Sequence, residues 1–315
     1  ALRHLGCTLP IEVFYQGSDE MTLEAVESLA ELDVLCVDTA WFPELPAISL
    51  RGWQMKAVAL VHSSFREVLM LDADNIPAVD PTPLFDTQEY QAHGNLYWRD
   101  FSTDPHWIKP SFFAMFGVTM TAGEPELEAG QVMIDKQRCW HSLQVYAYIN
   151  QHFMYFYTKM YGDKDTHRLA FKVTGQTLTV SPHHPESMGQ FVPGIPHDRF
   201  CGDTMVHLSP NGRPAFLHRT LSDFELRDGT VRRGHSKPML TWRNITRGFV
   251  GWDVRTIPTR LEGGAWLEQW CVLCGGGTHI QPAPRILLSL EALTVQWMQE
   301  LASKEWLQEL PGDAK

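Results

Sequence analysis

Short apolar runs and helical repeats alternate along the first seventy residues. Residues 11–15, 34–37 and 68–71 are short runs rich in strand-favouring residues. Between them, residues 20–32 and 55–62 repeat their apolar positions at helical spacing. The pattern predicts the order β-α-β-α-β, which is half of a doubly wound, nucleotide-binding sheet. Because residues 68–71 are apolar throughout, we expect this strand to lie in a parallel sheet covered on both faces.

Two carboxylates, Asp72 and Asp74, directly follow the third apolar run. Ligands of doubly wound sheets bind just beyond the carboxyl ends of the strands. In an extended chain, side chains two residues apart point the same way, so these two acids can face one site. Their oxygens suit Mg²⁺ or Mn²⁺, and such an ion would offset the charge of a diphosphate. A solvated turn after the strand is the alternative.

Composition and charge narrow the range of functions. The 315 residues are 44% hydrophobic and 11% aromatic, which suits one large α/β domain with additions or two modest domains. The net charge of -11 argues against nucleic acid as the main ligand, because proteins that bind nucleic acid present a basic face to the phosphates. No run approaches the roughly 18 apolar residues of a membrane-spanning helix. The first residues lack a signal-peptide layout and resemble the interior of a longer protein.

Cysteine usage and one sequon bear on the compartment. Cysteines stand at positions 7, 36, 139, 201, 271 and 274, and an even number permits disulfides without requiring them. Cys271 and Cys274 form a lone C-x-x-C, so we expect a structural disulfide or ordinary thiols in preference to metal or redox chemistry. The sequon Asn244-Ile245-Thr246 is typical of a secretory-pathway protein.

Six short motifs follow one another along the first 220 residues. They are LPIEV (9–13), MKA (55–57), LDADNIP with a following DP (71–77 and 80–81), EAGQVMIDK (128–136), GDKDT (162–166) and FLHR (216–219). In this order they resemble the fungal Golgi α-mannosyltransferases related to the Mnn1 and Mnn2 proteins, a retaining group with the GT-A fold. The resemblance does not extend into the C-terminal third of the chain.

The resemblance implies an α/β fold of the GT-A type, with a Rossmann-like mixed sheet flanked by helices. We expect the catalytic domain over residues 1–240 and a C-terminal helical extension over 241–315, in which residues 286–310 form the clearest helix. The implied reaction is metal-dependent transfer of a hexose, mannose from GDP-mannose, onto a glycan hydroxyl with retention of configuration. A UDP-sugar donor (galactose, glucose, xylose or N-acetylglucosamine) and a non-catalytic carbohydrate-binding protein stay open. The implied location is the Golgi lumen, with any membrane attachment through an N-terminal anchor outside this chain.

The metal site follows from the resemblance and from strand ends. Asp74 is the first expected ligand of Mn²⁺ or Mg²⁺, and Asp72 contacts the metal, directly or through water, or the ribose. A histidine from the C-terminal part of the core completes the set. His218 follows the apolar run 214–217 and is preferred to His207.

The donor and sugar contacts come from three further segments. Lys56 on the second helix and Lys237 in a basic loop are expected near the donor diphosphate. Gly130 permits a close backbone approach or a positive φ before the strand at 132–134. We assign Gln131 and Glu128 to the sugar pocket, with a purely structural turn as the alternative.

Asp163 and Asp165 flank a lysine ahead of a helix. Capping explains one carboxylate. The other could accept hydrogen bonds from the sugar or the acceptor, or stabilise an oxocarbenium-like transition state. The sequence leaves open which aspartate does which. Among the aromatic residues, we expect the pair at 97–98 to face the acceptor. We expect most of the stripe between 146 and 161 to be core, with a carbohydrate platform as the alternative.

Overall fold

The structure, a computed structural model, describes residues 1–42, 52–101, 109–121, 123–192, 199–219, 224–227, 230–233, 244–247, 252–260, 266–274 and 279–302. These residues form a mixed α/β fold of helices and several sheets, as the sequence predicts. The chain divides into an N-terminal unit (residues 3–72 and 81–181) and a C-terminal unit (residues 1–2, 73–80 and 182–315). Residue 240 lies outside the described residues, and the predicted domain boundary there stays a prediction.

In chain order the elements up to residue 181 are β1 (Ile11–Tyr15), α1 (Leu23–Ala30), β2 (Val34–Asp38), α2 (Met55–His62), β3 (Glu67–Leu71), β4 (Asn75–Pro77), α3 (Gln88–His93), β5 (Asn95–Arg99), α4 (Pro110–Ala114), β6 (Leu127–Asp135), α5 (Trp140–Gln151), α6 (Phe153–Phe156) and α7 (Lys164–Thr174). The later ones are β7 (Glu186–Val192), β8 (Arg199–Leu208), β9 (Pro214–His218), β10 (Phe224–Arg227), β11 (Thr230–Arg233), β12 (Asn244–Arg247), β13 (Trp252–Arg260), β14 (Trp266–Cys274), β15 (His279–Pro282) and α8 (Arg285–Ala302).

The predicted β-α-β-α-β order is present, but the third strand pairs differently from the prediction. β1 and β2 pair in parallel, with Ile11 opposite Val34. β3 instead pairs antiparallel with β6, in the order β3-β6-β5. Along β3 only Val68 and Met70 are buried, which is the alternating pattern of a strand with one covered face. The expectation of a parallel, doubly covered third strand was wrong, because an apolar run does not specify the direction of its partner.

The core of the N-terminal unit surrounds β6, α5 and α7. Every residue of β6 is buried, and its neighbours in the core include Tyr97, Tyr146 and Phe171. Tyr97 and Trp98 are 0% and 1% exposed. The expectation that this pair faces an acceptor was therefore wrong: both side chains of the short strand β5 are covered. The expectation that most of the later aromatic stripe is core was also wrong: Tyr146 and Phe156 are buried, but Tyr148, Tyr155 and Tyr161 are exposed.

The C-terminal unit is built on a sheet in the order β13-β14-β8-β7-β12-β15, with β9 paired to both β8 and β4. A buried ion pair between Arg219 and Glu291, 3.3 Å apart, joins the end of β9 to α8. The expectation of a helical extension over residues 241–315 was wrong, because four strands, β12 to β15, precede α8. That helix is described to Ala302, and residues 303–310 of the predicted helix lie outside the described residues.

Three observations concern the expected compartment. Cys201 is disulfide-bonded, and Cys7, Cys36 and Cys139 are free thiols. The sequon lies in β12, where Thr246 is buried and its hydroxyl accepts the Ser187 N–H at 2.8 Å. None of the helices in the described ranges combines the length and apolar character needed to cross a bilayer.

Candidate active site

A buried ammonium group lies between two carboxylates in the N-terminal unit. Lys56 Nζ is 2.7 Å from Asp72 Oδ2 and 3.5 Å from Asp163 Oδ2. The three side chains, here called the Lys56 cluster, are only 18%, 21% and 7% exposed. The lysine lies on α2, Asp72 directly follows β3, and Asp163 directly precedes α7. The structure thus joins three residues that the sequence singled out in separate segments.

The surrounding charges keep Lys56 protonated, and burial brings the pKa of Asp163 close to neutral pH. Burial would lower the pKa of Lys56, but Asp163 and Asp72 raise it above its ordinary value. Burial raises the pKa of Asp163 to about 6 against the attraction of Lys56, and the charge of Asp72 adds to the rise. A carboxyl group with such a pKa can accept a hydrogen bond or exchange a proton near neutral pH.

Glu128, Gly130 and Gln131 lie within β6, whereas the sequence placed them before a strand. The backbone φ of Gly130 is not among the positive values found in the described residues, because the strand already begins at Leu127. Of the two features expected at Gly130, the positive φ was therefore wrong, and the close backbone approach stays a prediction. Glu128 Oε1 accepts the Gly130 N–H at 2.8 Å, and the Gly130 carbonyl accepts the Asp72 N–H at 2.9 Å. The pairing with β5 is irregular here, which is typical of a bulge that re-aims side chains. The sugar-pocket roles of Glu128 and Gln131 stay predictions.

The structure separates the two aspartates at the start of α7. Asp163 is the N-cap residue, yet its side chain makes no capping hydrogen bond. Asp165 is fully buried and accepts the Arg168 Nε–H at 3.3 Å. Burial raises the pKa of Asp165 to about 6, against the attraction of Arg168 and Lys164. Asp163 thus lies with Lys56, and Asp165 lies with an arginine of its own helix.

A second lysine binds two other acids in the same unit. Lys164 Nζ donates to Asp100 Oδ2 at 2.6 Å and to Glu126 Oε2 at 2.9 Å. These three residues, here called the Lys164 cluster, tie the end of β5 and the residue before β6 to α7. The sequence motif pointed to Lys164, but no pattern predicted Asp100 or Glu126 as its partners.

The sequence analysis also missed a buried histidine. His167 stacks on Tyr146 with ring centroids 3.8 Å apart, and its Nδ1 lies 3.1 Å from the Tyr97 hydroxyl. Burial, with a contribution from Lys56, lowers the pKa of His167 to about 3. The imidazole is therefore neutral at physiological pH. Its position three residues after Lys164 on the helix gave the only signal, and that signal does not distinguish core from site.

Two candidate metal ligands meet in the C-terminal unit. Asp74 Oδ1 lies 3.3 Å from His218 Nε2. β4 pairs antiparallel with β9 and sets Asn75 opposite His218. As the sequence predicts, His218 ends a buried strand. A carboxylate oxygen and an imidazole nitrogen at this separation fit a divalent ion such as Mn²⁺.

The remaining candidates are placed as follows. His207 is buried within β8, opposite Phe216 of β9. Lys237, expected in a loop near the diphosphate, lies outside the described residues. Its role stays a prediction.

Comparison with known families and proteins gives consistent matches. A family model described as "Mannosyltransferase putative" matches residues 1–128 and 120–209. Alpha-1,2-mannosyltransferase MNN21 of Candida albicans is 35% identical over 121 residues, 34% of this chain and 18% of the relative. MNN22 of the same yeast is 24% identical over 270 residues, 71% and 46%. MNN2 of Saccharomyces cerevisiae is 34% identical over 104 residues, 32% and 17%.

The alignments cover only part of each relative and part of this chain. The chain spans less than half the length of each of these three relatives. The residues matched by the family model contain the first five of the six motifs, and the motif that includes His218 follows them. The Lys56 cluster therefore lies wholly inside the matched part of the chain.

Proposed function

The chain belongs to the mannosyltransferase family whose model matches two thirds of its length, and from this premise we propose that it transfers mannose from GDP-mannose to a hydroxyl group of a glycan. The resemblance to fungal Mnn-related enzymes is confirmed at the level of the family. The proposal adds the donor, a divalent ion, retention of the anomeric configuration and a GT-A fold.

The Lys56 cluster is the observation that carries the proposal. Departure of a diphosphate from a nucleotide-sugar develops negative charge, which a preorganised cation stabilises. Lys56 is buried, charged and fixed near the end of β3 by Asp72. We assign the ammonium to the diphosphate and Asp163 to the transferred sugar or the attacking hydroxyl. Asp165, which is bound to Arg168, orients the start of α7.

Asp74 and His218 support the metal part of the proposal, because their donor atoms lie 3.3 Å apart. With Asp72, two residues earlier in the chain, they would hold Mn²⁺ or Mg²⁺. The ion would neutralise charge on the diphosphate. Gln131 and Glu128, buried in β6, complete the proposed sugar pocket, with Gly130 giving the backbone contact to the donor.

The GT-A assignment draws support from the order β1-α1-β2-α2-β3 with two acids after β3. The Golgi lumen is proposed as the location, since the relatives are named mannosyltransferases of fungi.

The test is transfer to α-mannobiose by the purified protein with Mn²⁺, using a panel of GDP-mannose and UDP-sugars and NMR analysis of the product. We expect an α-linked mannoside from GDP-mannose alone, loss of activity with a chelator, and recovery with added Mn²⁺. Transfer from a UDP-sugar would replace the proposed donor. Glycan binding without any turnover would identify a non-catalytic binding protein.

Asp74→Asn checks the metal ligand. It should reduce turnover by roughly two orders of magnitude or more, while Asp86→Asn, which alters an exposed acid, should leave turnover unchanged. Equal activity of the two variants would remove Asp74 from the site.

A further inference from the structure

Two large aromatic side chains of the N-terminal unit are half exposed and lie against each other. Trp53 is 49% exposed and Tyr161 is 52% exposed. Their ring centroids are 5.8 Å apart, with the planes at 40°. Tyr157 extends the group, with its centroid 6.2 Å from that of Trp53. Exposed aromatic rings that cluster in this way are typical of binding surfaces.

A close contact with the backbone of Gly162 fixes the indole ring of Trp53 in place. Gly162 has a φ of +67°, and a Cβ atom there would lie 2.6 Å from Trp53 Cε3. The benzo ring of Trp53 therefore rests on the backbone of this glycine, where a side chain would displace it. Only glycine suits both the positive φ and the close approach. The glycine of the GDKDT motif therefore has a structural role, contact with Trp53, that the sequence analysis did not predict.

The aromatic pair adjoins the Lys56 cluster along both chain segments. The Lys56 N–H donates to the Trp53 carbonyl at 3.2 Å. Tyr161 lies two residues before Asp163, within about 7 Å of backbone. The two rings are therefore attached directly to the segments that supply Lys56 and Asp163.

Polar groups border the rings. Lys164 Nζ lies 5.5 Å from the centroid of Tyr161, and the same ammonium binds Asp100. Asp163 Oδ2 is buried, and beyond its ion pair with Lys56 Nζ at 3.5 Å it accepts no hydrogen bond from any residue that the structure describes. Aromatic faces beside a carboxylate suit a pyranose ring, which has an apolar C–H face and a rim of hydroxyl donors.

We propose that Trp53 and Tyr161 form the floor of a subsite for one hexose ring of the glycan acceptor, and that Asp163 accepts a hydrogen bond from a hydroxyl of that ring. The proposal rests on the glycosyl transfer proposed above. The proposed function already assigns the donor diphosphate to Lys56, and the Lys164 ammonium beside Tyr161 is paired with Asp100 and Glu126. The rings therefore suit the neutral, polyhydroxylated acceptor better than the charged donor.

The experiment measures steady-state transfer from GDP-mannose to α-mannobiose for the parent protein and for Trp53→Ala and Trp53→Phe. The alanine variant should raise the KM for mannobiose at least tenfold with little change in the KM for GDP-mannose. The phenylalanine variant keeps an aromatic face and should recover most of the loss. Trp140→Ala is the matched control, because Trp140 is 46% exposed on α5 and lies outside the proposed subsite.

Saturation-transfer NMR with mannobiose alone provides a readout that does not depend on turnover. If the parent protein binds mannobiose and Trp53→Ala does not, the subsite stands even if transfer from every donor fails. An unchanged KM and unchanged binding in Trp53→Ala would overturn it. A rise confined to the KM for GDP-mannose would assign the rings to the nucleotide and would also overturn it. Circular dichroism of Trp53→Phe checks that the fold is intact.

Discussion

Two lysines of the N-terminal unit each lie between two carboxylates, but their contacts differ. Lys164 makes two hydrogen bonds, at 2.6 and 2.9 Å. Lys56 makes one hydrogen bond to a carboxylate, at 2.7 Å, and a longer one to the Ala129 carbonyl, at 3.4 Å. Its second acid, Asp163, is 3.5 Å away. The lysine side chains are similarly buried, at 14% and 18% exposure. The difference therefore lies in how completely the protein pairs each charge.

The partners show what each cluster is for. In the Lys164 cluster, Glu126 is 1% exposed and depends on the lysine for its charge to be tolerated. In the Lys56 cluster, Asp163 has a pKa of about 6, raised chiefly by burial, and can become neutral when its partner turns away. We infer that Lys164 stabilises the fold and that Lys56 is free to exchange an acid for a ligand.

Replacement of Lys164 gives the largest expected effect. Lys164→Met leaves Asp100 and Glu126 without their cation, and we expect the free energy of unfolding to fall by about 3–5 kcal/mol. Denaturant titration measures this change. Lys159→Met, at an exposed lysine, should stay within about 0.5 kcal/mol of the parent. A loss below about 1 kcal/mol for Lys164→Met would break the comparison, because the two lysines would then be equivalent.

Lys56→Met should show the opposite balance. We expect turnover to fall about 100-fold, which corresponds to about 2.7 kcal/mol, because the cation proposed for the diphosphate is lost. The free energy of unfolding should fall by only about 1–2 kcal/mol, since Asp72 is partly exposed and Asp163 can take up a proton. Turnover and denaturant titrations on the same preparation separate these effects. A variant that unfolds as readily as Lys164→Met but keeps its turnover would reverse the two assignments.

The sequence predicted those parts of the site that depend on local pattern. Apolar runs placed Asp72 after a strand and His218 at the end of another, and helical spacing placed Lys56 on α2. These features follow from the spacing of apolar residues that are close together in the chain. Asp74 and His218 meet through β4, a three-residue strand. Such a short strand has too few positions to show an alternating pattern.

Contacts between distant segments were not predictable in this way. Asp163 meets Lys56 only because α7 packs on β6 and β6 runs antiparallel to β3. No local repeat of apolar residues specifies either of these arrangements. The positive φ considered for Gly130 is absent because β6 begins three residues earlier, at Leu127, and Gly130 lies inside the strand. Tyr97 and Trp98 were expected to face the acceptor because they lie near the end of a strand, yet both are buried, and a position near a strand end does not determine burial.

The pKa of His167 extends the comparison, because the charge of Lys56 helps to lower it. Its pKa is about 3 in the folded protein, lowered by burial and then by Lys56, against about 6.5 when unfolded. Between these values the unfolded chain binds more protons, so this group's contribution to stability falls as the pH falls. The loss should be on the order of 2 kcal/mol between pH 6.5 and 5. Asp163 and Asp165 act in the opposite direction, because their raised pKa values favour the folded form at lower pH.

The difference between His167→Gln and the parent protein therefore isolates the histidine. Unfolding titrations at pH 6.5 and pH 5 should show the variant gaining stability relative to the parent as the pH falls. Parallel pH profiles would mean that His167 takes up its proton in the folded state, and that the charge of Lys56 does not reach it.

The smallest effect concerns the hydrogen bond that holds Asp163 in place. Thr166 Oγ1 donates to the Asp163 carbonyl and accepts from Asn150 Nδ2 at 3.1 Å. Thr166→Val removes these bonds and should reduce the free energy of unfolding by about 1 kcal/mol, whereas Thr166→Ser keeps the hydroxyl and should lose less. Because the bond fixes the residue before α7, the valine variant should reduce turnover several-fold more than the serine variant does. Equal turnover at unequal stability would show that the carboxylate of Asp163 is positioned by Lys56 alone, and that the start of α7 belongs with the Lys164 cluster.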